Sequence, residues 1–586
     1  MLQAILLLPL LLFEAKASDI PPSSNDLRKR NSTQQLFDGI VGDVNLKWYP
    51  CNETQEIKFE CARLIVPLDY NKPENGFRAI IPMVKYPAAK GVPYKGAVLV
   101  NPGGPGAPGT EFIYGNGTAQ KLEQRAVGPG WDIIGFDPRG VGYSIPSSDC
   151  KLGPSDFNPA WQNATSLKPP SVAPQSLILD KRKTDKGPVN TTEPYETIFG
   201  LRIPKMRPLN ITNMLDELDK AQKACVNSIG AYNQAGPHMN TVVVATDMLS
   251  IGKALARERG LPENTTLVNY WGGSYGTLLG QYFATLYPKN VGKFVLDGVV
   301  DAESWIKGQQ EHTKLIHGDE AWSFFPSHCF KAGPAHCKFY ANSVDAIRER
   351  FNNLTTKLSV IRDLPQTEAS DSAVDLFFGG FTRKIFRSLY RPSKDWPKIA
   401  EFLVNLEKSM PSGNHSEWDW NSISDYIYPP EKNSTGRQEL DSFSYGLDKV
   451  FCMDGHDVRG RKVMPGDQMG LYNDSKLGWG ADFRTQSMCT KWSIRPAWEW
   501  YGPIGGTTAT PILFVGNHYD HVCPYENAFK AATLFKGARA LYLEELGHVS
   551  LNTENKCSSV HVLKYFETGM LPPAGTRCAE ETQMFQ

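Results

Sequence analysis

Thr266-Leu267-Val268-Asn269-Tyr270-Trp271-Gly272-Gly273-Ser274-Tyr275-Gly276-Thr277 is the stretch whose reading decides the fold. Residues 266–270 read as a buried strand, and from Thr277 the apolar residues recur at helical spacing up to Pro288. Between them, Gly272-Gly273-Ser274-Tyr275-Gly276 fits the pattern G-x-S-x-G. Glycines at those places permit a sharp strand-to-helix turn that leaves the serine hydroxyl exposed as a nucleophile. Such a pentapeptide also arises by chance, so the strand before it and the helix after it carry the inference.

Similar strand signals lie to either side. Residues 97–100, 131–136, 293–296, 511–515 and 541–543 are short runs rich in Val, Ile and Leu, bounded by Gly or Pro. Their nearly continuous apolar character predicts parallel strands covered on both faces. Residues 247–257 and 278–287 have helical periodicity, and alternating strands and helices predict an α/β fold with a parallel sheet. Residues 57–67 and 78–85 read as an antiparallel hairpin at its edge. Two regions interrupt the alternation. Residues 152–210, rich in Pro, read as a surface excursion. Residues 305–500 hold helical patterns at 343–358 and 396–408 and read as a cap inserted between two strands.

The chain has 586 residues, with 62 Lys+Arg against 62 Asp+Glu and 41% hydrophobic residues. That composition is globular and excludes disorder throughout. A zero formal charge lacks the basic excess of a nucleic-acid binder, so no nucleic-acid partner is expected. The apolar run at 4–13 is shorter than the ~20 residues that span a bilayer. Ala15-Lys16-Ala17 has the form of a signal-peptidase site, so residues 1–17 read as a signal peptide. The expected protein is secreted and extracellular, with no membrane association after signal removal. Residues 18–44 form an N-terminal segment. Arg28-Lys29-Arg30 reads equally as the end of a propeptide at 30 or as an exposed basic cluster.

Eleven cysteines in an oxidising compartment should mostly pair. Sequence order suggests Cys51–Cys61, Cys150–Cys225, Cys329–Cys337, Cys452–Cys489 and Cys557–Cys578, leaving Cys523 free. His328-Cys329 and His336-Cys337 also read as a zinc set, with a disulfide favoured in a secreted chain. Cys523 reads as a small buried hydrophobe rather than a tuner of the loop it sits in. Sequons at Asn31, Asn52, Asn116, Asn163, Asn190, Asn210, Asn264, Asn353, Asn414, Asn433 and Asn473 predict N-glycans and surface positions.

A nucleophilic serine needs a base and an orienting acid. His548, in Glu545-Leu546-Gly547-His548, follows the last predicted strand, where a loop can lean over the sheet. His561 falls in a helix and suits the role less. Asp520 follows the strand at 511–515 and is the expected acid, with Asp297 and Asp301 after an earlier strand as the runner-up. His518 and His521 share the acid's own loop and are less suited as the base. Asn101-Pro102-Gly103-Gly104-Pro105-Gly106 follows the strand at 97–100 and offers backbone close to a reacting carbonyl. The Gly104 and Tyr275 N–H groups are the expected oxyanion hole, one donor being worth roughly 2.7–4 kcal/mol in the transition state.

These motifs carry a resemblance. NPGGPG at 101–106, DPRGVGYS at 137–144, GGSYGTLLGQYFATLYP at 272–288 and VLDGVVD at 295–301 occur in order. Cys452-x-Asp454, Cys489-x-x-Trp492 and the GNxxDxVxP run at 516–524 follow. Together they resemble the tripeptidyl aminopeptidase group of α/β hydrolases, relatives of the prolyl aminopeptidases, over 45–150, 215–305 and 445–578. Ala107-Pro108 departs from the family's frequent Gly-Ser pair, and the excursion at 152–210 is a second departure.

The resemblance implies an α/β-hydrolase fold, with a mostly parallel central sheet, helices on both faces and an inserted, largely helical cap. Its core then runs 45–304 and 501–586, with the cap at 305–500 leading into a TAP-like C-terminal region. It implies a secreted serine exopeptidase that releases short peptides, tripeptides foremost, from free N-termini, using Ser274, Asp520 and His548 with no metal or organic cofactor. Peptides with free N-termini are the expected partners. Recognising their ammonium needs carboxylates in the cap or its hinge, and Glu303 and Asp454 are the candidates. A secreted carboxylesterase or lipase on the same scaffold is the alternative, disfavoured by NPGGPG where an HGGG-type sequence would stand. A non-catalytic binding protein that kept the fold is a third reading.

Overall fold

The computed structural model describes residues 36–51, 59–115, 117–150, 195–205, 211–308, 314–360, 379–411, 417–427 and 449–585. The expected signal segment, the basic triplet, most of the excursion at 152–210 and eight of the sequons lie outside them. The other three sequon residues, Asn264, Asn353 and Asn473, are exposed.

In chain order the strands are β1 (Tyr49–Pro50), β2 (Glu60–Pro67), β3 (Arg78–Tyr86), β4 (Gly96–Asn101), β5 (Trp131–Phe136), β6 (Tyr195–Ile198), β7 (Leu201–Pro204), β8 (Val268–Gly273), β9 (Val291–Asp297), β10 (Leu513–Tyr519), β11 (Arg539–Leu546) and β12 (Arg577–Cys578). All but β6 and β7 join one sheet, ordered β1-β2-β3-β5-β4-β8-β9-β10-β11-β12. From β5 onward its neighbours are parallel, and β1 to β3 form the antiparallel edge. The chain goes from β4 outward to β5, then crosses to β8 on the other side of β4. Ligand crevices in open α/β sheets lie at such reversals, beyond the strands' carboxyl ends. The loop after β4 and the turn after β8 flank this one.

Alternation along each strand sends successive side chains to opposite faces. Leu99, Tyr270, Ile512 and Phe514 join the core under helices Thr241–Glu258 and Tyr275–Leu286. Val98, Val100, Trp271, Leu513 and Val515 join the core under Gly109–Tyr114 and Lys556–Thr568. Both faces are apolar, which is why the strands read as unbroken hydrophobic runs. A buried bidentate ion pair ties the loop after β5 to helix Thr241–Glu258. Arg139 donates to Asp247 at 2.7 and 2.8 Å, and Tyr70 donates to the same carboxylate at 2.7 Å.

A separate apolar cluster holds the inserted helices. Trp322, Phe325, Phe351, Trp396, Leu403 and Trp418 pack together, and Val522, Cys523 and Leu546 from the sheet side join them. Helices Val344–Val360 and Pro392–Ser409 cover the two segments read as helical. The hairpin β6/β7 belongs here too: Arg202 N–H donates to Asn352 at 2.7 Å, and its guanidinium to Thr356 at 2.9 Å. Farther on, Phe451, Cys452, Cys489 and Trp492 pack into the core beneath the sheet instead of the cap cluster.

The disulfides are Cys51–Cys61, Cys150–Cys225, Cys329–Cys337, Cys452–Cys489 and Cys557–Cys578, as sequence order suggested, and Cys523 is a buried free thiol. The disulfide takes the two sulfurs of the alternative zinc set. No helix among the described residues is long and apolar enough to cross a membrane.

Candidate active site

Ser274 sits between β8 and helix Tyr275–Leu286 with φ 56° and ψ −128°. A non-glycine residue at positive φ is strained and persists only where its surroundings hold it. They do: Ser274 N–H donates to Asp297 O at 2.9 Å, and Thr277 donates to Ser274 O through both N–H (2.8 Å) and hydroxyl (2.7 Å). The loop after β4 lies against this turn. A Cβ on Gly103 would stand 2.6 Å from Gly273 O and 2.8 Å from Tyr275 N, so only glycine fits there. Gly104, next along, has φ 107°. Tyr275 is the first residue of its helix, where a backbone N–H has no intrahelical acceptor. Its side chain is pinned from below: Thr241 Oγ1 and Tyr275 Oη are 2.5 Å apart.

Of the three histidines at the acid and base loops, His548 meets Asp520. His548 Nδ1 lies 2.8 Å from Asp520 Oδ2 and 3.0 Å from Oδ1. Asp520 is fully buried, and its Oδ1 also accepts the N–H groups of Val522 (3.1 Å) and Cys523 (2.9 Å). Burial alone would push this carboxyl up, but the charge and hydrogen bond of His548 hold it below its ordinary value. With Nδ1 engaged, His548 presents Nε2 as its remaining ring nitrogen. His518 pairs with Tyr542 instead. His521 is fully buried between the rings of Phe386 and Tyr390, and burial drives its imidazole down to about 3 despite Asp520. As a proton acceptor it is therefore far weaker than an ordinary imidazole.

The runner-up acids are engaged elsewhere. Asp297 accepts Ser550 N–H at 2.8 Å and the Ser550 hydroxyl at 2.7 Å, and burial raises it to about 6. Asp301 caps helix Ala302–Ile306 and pairs with Lys530 at 3.0 Å.

The two candidate amine ligands differ in kind. Glu303 is half-exposed on helix Ala302–Ile306, just past β9, and pairs with Lys530 at 2.9 Å. Asp454 is buried, and its carboxylate is taken up inside the protein by Thr241 N–H (2.7 Å), Thr241 Oγ1 (2.6 Å) and Trp305 Nε1 (2.9 Å). Burial raises it to about 7. Through Thr241 it bears on Tyr275, so the structure links Asp454 to the nucleophile turn and not to open space.

Two further residues border the site. Tyr390, from the cap, accepts His548 N–H on its backbone carbonyl at 3.1 Å and sets its ring 5.2 Å from the imidazole. Cys523 lies against the Ser274 hydroxyl, and burial pushes its thiol well up, so it stays protonated. The Tyr390 contact escaped the sequence reading because a carbonyl has no residue signature, whereas Cys523 is the small buried residue expected there. Among the described residues, the one group spaced to hold a metal is Cys557, His561 and Cys578, whose sulfurs are joined to each other.

Residues 96–341 match the alpha/beta hydrolase fold family, and residues 475–578 match the TAP-like protein family. Serine protease Hip1 of Mycobacterium tuberculosis is 23% identical, aligned over 91% of this chain and 91% of its own. Tripeptidyl aminopeptidase of Streptomyces lividans is 22% identical over 92% of this chain and 87% of its own. A Mycobacterium tuberculosis protein named carboxylesterase B is 24% identical over 91% of this chain and 89% of its own.

Proposed function

We propose that this chain, whose residues 96–341 match the alpha/beta hydrolase fold family and 475–578 the TAP-like protein family, is a secreted serine exopeptidase releasing short peptides, tripeptides foremost, from free N-termini. The observation that carries this reading is the buried His548–Asp520 couple and a serine held at positive φ, bridged by Cys523, whose thiol lies against the Ser274 hydroxyl and whose N–H donates to Asp520. His548 Nε2 takes the proton of Ser274 as Oγ attacks the scissile carbonyl. Asp520 fixes the imidazole tautomer and stabilises the imidazolium. The Gly104 and Tyr275 amides receive the oxyanion, and the positive φ of Gly104 supports that use of its backbone. His548 then protonates the leaving amine, and water, deprotonated by His548, cleaves the acyl-enzyme.

Peptides are preferred to esters as substrates on two grounds. The loop after β4 is NPGGPG, and two of the relatives named above are peptidases. Glu303 is our ligand for the substrate ammonium, which would take the place of Lys530 beside it. Secretion and N-glycosylation rest on the leader-like N-terminus, five disulfides and exposed sequons. The relative named carboxylesterase B supports the second reading, an esterase with the same three residues.

A fluorophosphonate probe followed by peptide mapping tests the nucleophile. We expect one labelled residue, Ser274, and no label on a folded Ser274→Ala protein. Label elsewhere, or full turnover by Ser274→Ala, would refute the assignment.

A further inference from the structure

Elements that carry basic side chains meet at the His548 loop from both the core and the cap. From the core side come Lys121, on helix Thr118–Leu122, and Arg125, one turn later. Arg125 donates to Thr553 O at 2.9 Å and pairs with Glu554 at 3.4 Å, which places it on the segment that follows His548. Arg391 and Lys394 come from the cap side, at the start of helix Pro392–Ser409. That helix start is locked to the same loop, because Tyr390 O accepts His548 N–H and a Cβ on Gly547 would stand 2.9 Å from Pro392 Cδ.

Carboxylates do not balance these charges. Asp395 is shared between Arg391 at 3.2 Å and Lys398 at 2.9 Å, and Glu554 is held by Arg125. Lys121 and Lys394 have no ion pair or side-chain hydrogen bond among the described residues. Lys121 is half-buried as well, and that burial, together with the charges of Arg125, Lys394 and Arg391, drives its ammonium down to about 8 against the opposing charge of Glu554. A cation that is partly desolvated, unpaired and crowded by like charges is poorly placed unless an anion joins it.

We propose that Lys121, Arg125, Arg391 and Lys394 form a carboxylate-binding rim on the leaving-group side of Ser274. The side follows from the chemistry, since His548 protonates the departing amine and the rim flanks His548. The inference rests on the exopeptidase reading and gives it a substrate class: short peptides whose departing portion carries a negative charge close to the cut. Two sources share that chemistry, the α-carboxylate of a peptide that ends soon after the cut and an acidic side chain in the departing residues.

The test uses the full-length enzyme and three versions of one short peptide with a free N-terminus. They end in a free acid, in an amide, or in an amide with Glu just after the cut. The free acid should exceed the plain amide by roughly tenfold in kcat/KM, about what two ion pairs supply, one with the half-buried Lys121 and one with the exposed Lys394. High salt should shrink the ratio. Lys121→Met/Lys394→Met should bring it close to one, and Lys121→Glu/Lys394→Glu should reverse it. Lys398→Met, one turn along the cap helix, should keep it. Thermal melts confirm that each variant is folded. Activity on the Glu-containing amide equal to that on the free acid identifies a side-chain carboxylate as sufficient; activity equal to the plain amide restricts the rim to the α-carboxylate.

A wild-type ratio near one, or a ratio that survives both double variants, overturns the rim. If no peptide is cut, the exopeptidase reading fails separately. The rim is then judged by the same ratio on aryl esters with and without a carboxylate on the leaving group.

Discussion

Replacing Asp520 by Asn should cost about 10⁴ in kcat, because the structure dictates how the new amide must lie. Asp520 Oδ1 accepts two backbone N–H groups, from Val522 at 3.1 Å and Cys523 at 2.9 Å, whereas Oδ2 accepts a single longer one, from Val549 at 3.3 Å, so the Asn oxygen keeps more by lying at Oδ1. An amide nitrogen cannot accept, so the Asn oxygen takes that place and its NH₂ falls where Oδ2 meets His548 Nδ1 at 2.8 Å. A donor there needs Nδ1 as an acceptor, which moves the ring proton to Nε2. His548 can then no longer take the proton of Ser274. The same tautomer trap in serine proteases lowers kcat by about 10⁴, equivalent to roughly 5.5 kcal/mol of barrier. Steady-state kinetics on a chromogenic tripeptide amide would measure it. Asp297→Asn is the comparator, since Asp297 holds Ser550 and not His548. The reasoning is refuted if Asp520→Asn keeps more than about a tenth of wild-type kcat, or if Asp297→Asn loses as much.

Further expectations concern the amine, the core and pH. Glu303→Gln should raise KM roughly ten- to a hundredfold for free-amine peptides, the range of a hydrogen bond to a charged group; an unchanged KM removes Glu303 from the site. Asp247→Ala should destabilise the fold by about 3–5 kcal/mol in urea titrations, because it leaves Arg139 buried and unpaired. Losing the Cys150–Cys225 bridge, which closes a loop with a separation of 75 residues, should cost about 2–5 kcal/mol. Asp454, raised to about 7 by burial, takes up a proton on folding between its unfolded value of 3.8 and 7. Its contribution to stability is therefore greatest at the acid end and falls as pH rises through that window. Asp454→Asn should remove this falling limb from a plot of denaturation midpoint against pH, and an unchanged slope would contradict the assignment.

The centre of the sheet was legible because both its faces are buried, so β4, β5, β8, β9, β10 and β11 stand out as Val, Ile and Leu runs. Their ends were less so. β8 starts at Val268 and not Thr266 because a turn at Glu263–Thr265 ends there. β10 continues past Val515 to Tyr519 because β11 still pairs with it. The hairpin β6/β7 escaped notice, since its strands are four residues each and pack against a cap helix far along the chain. In the site, Ser274, Asp520 and His548 follow from motif and chain order, because each stands just past a strand. Asp454 was legible as a feature but not in its setting: its partner Thr241 lies 213 residues away, so burial could not be read locally. The carbonyl of Tyr390 could have come from any residue type.

The most direct test of the account is product mass after the enzyme meets one peptide in free and N-acetylated forms. The account predicts tripeptides from the free form alone, with none from Ser274→Ala. Internal cuts, or equal cleavage of both forms, would contradict an exopeptidase that reads the amino terminus.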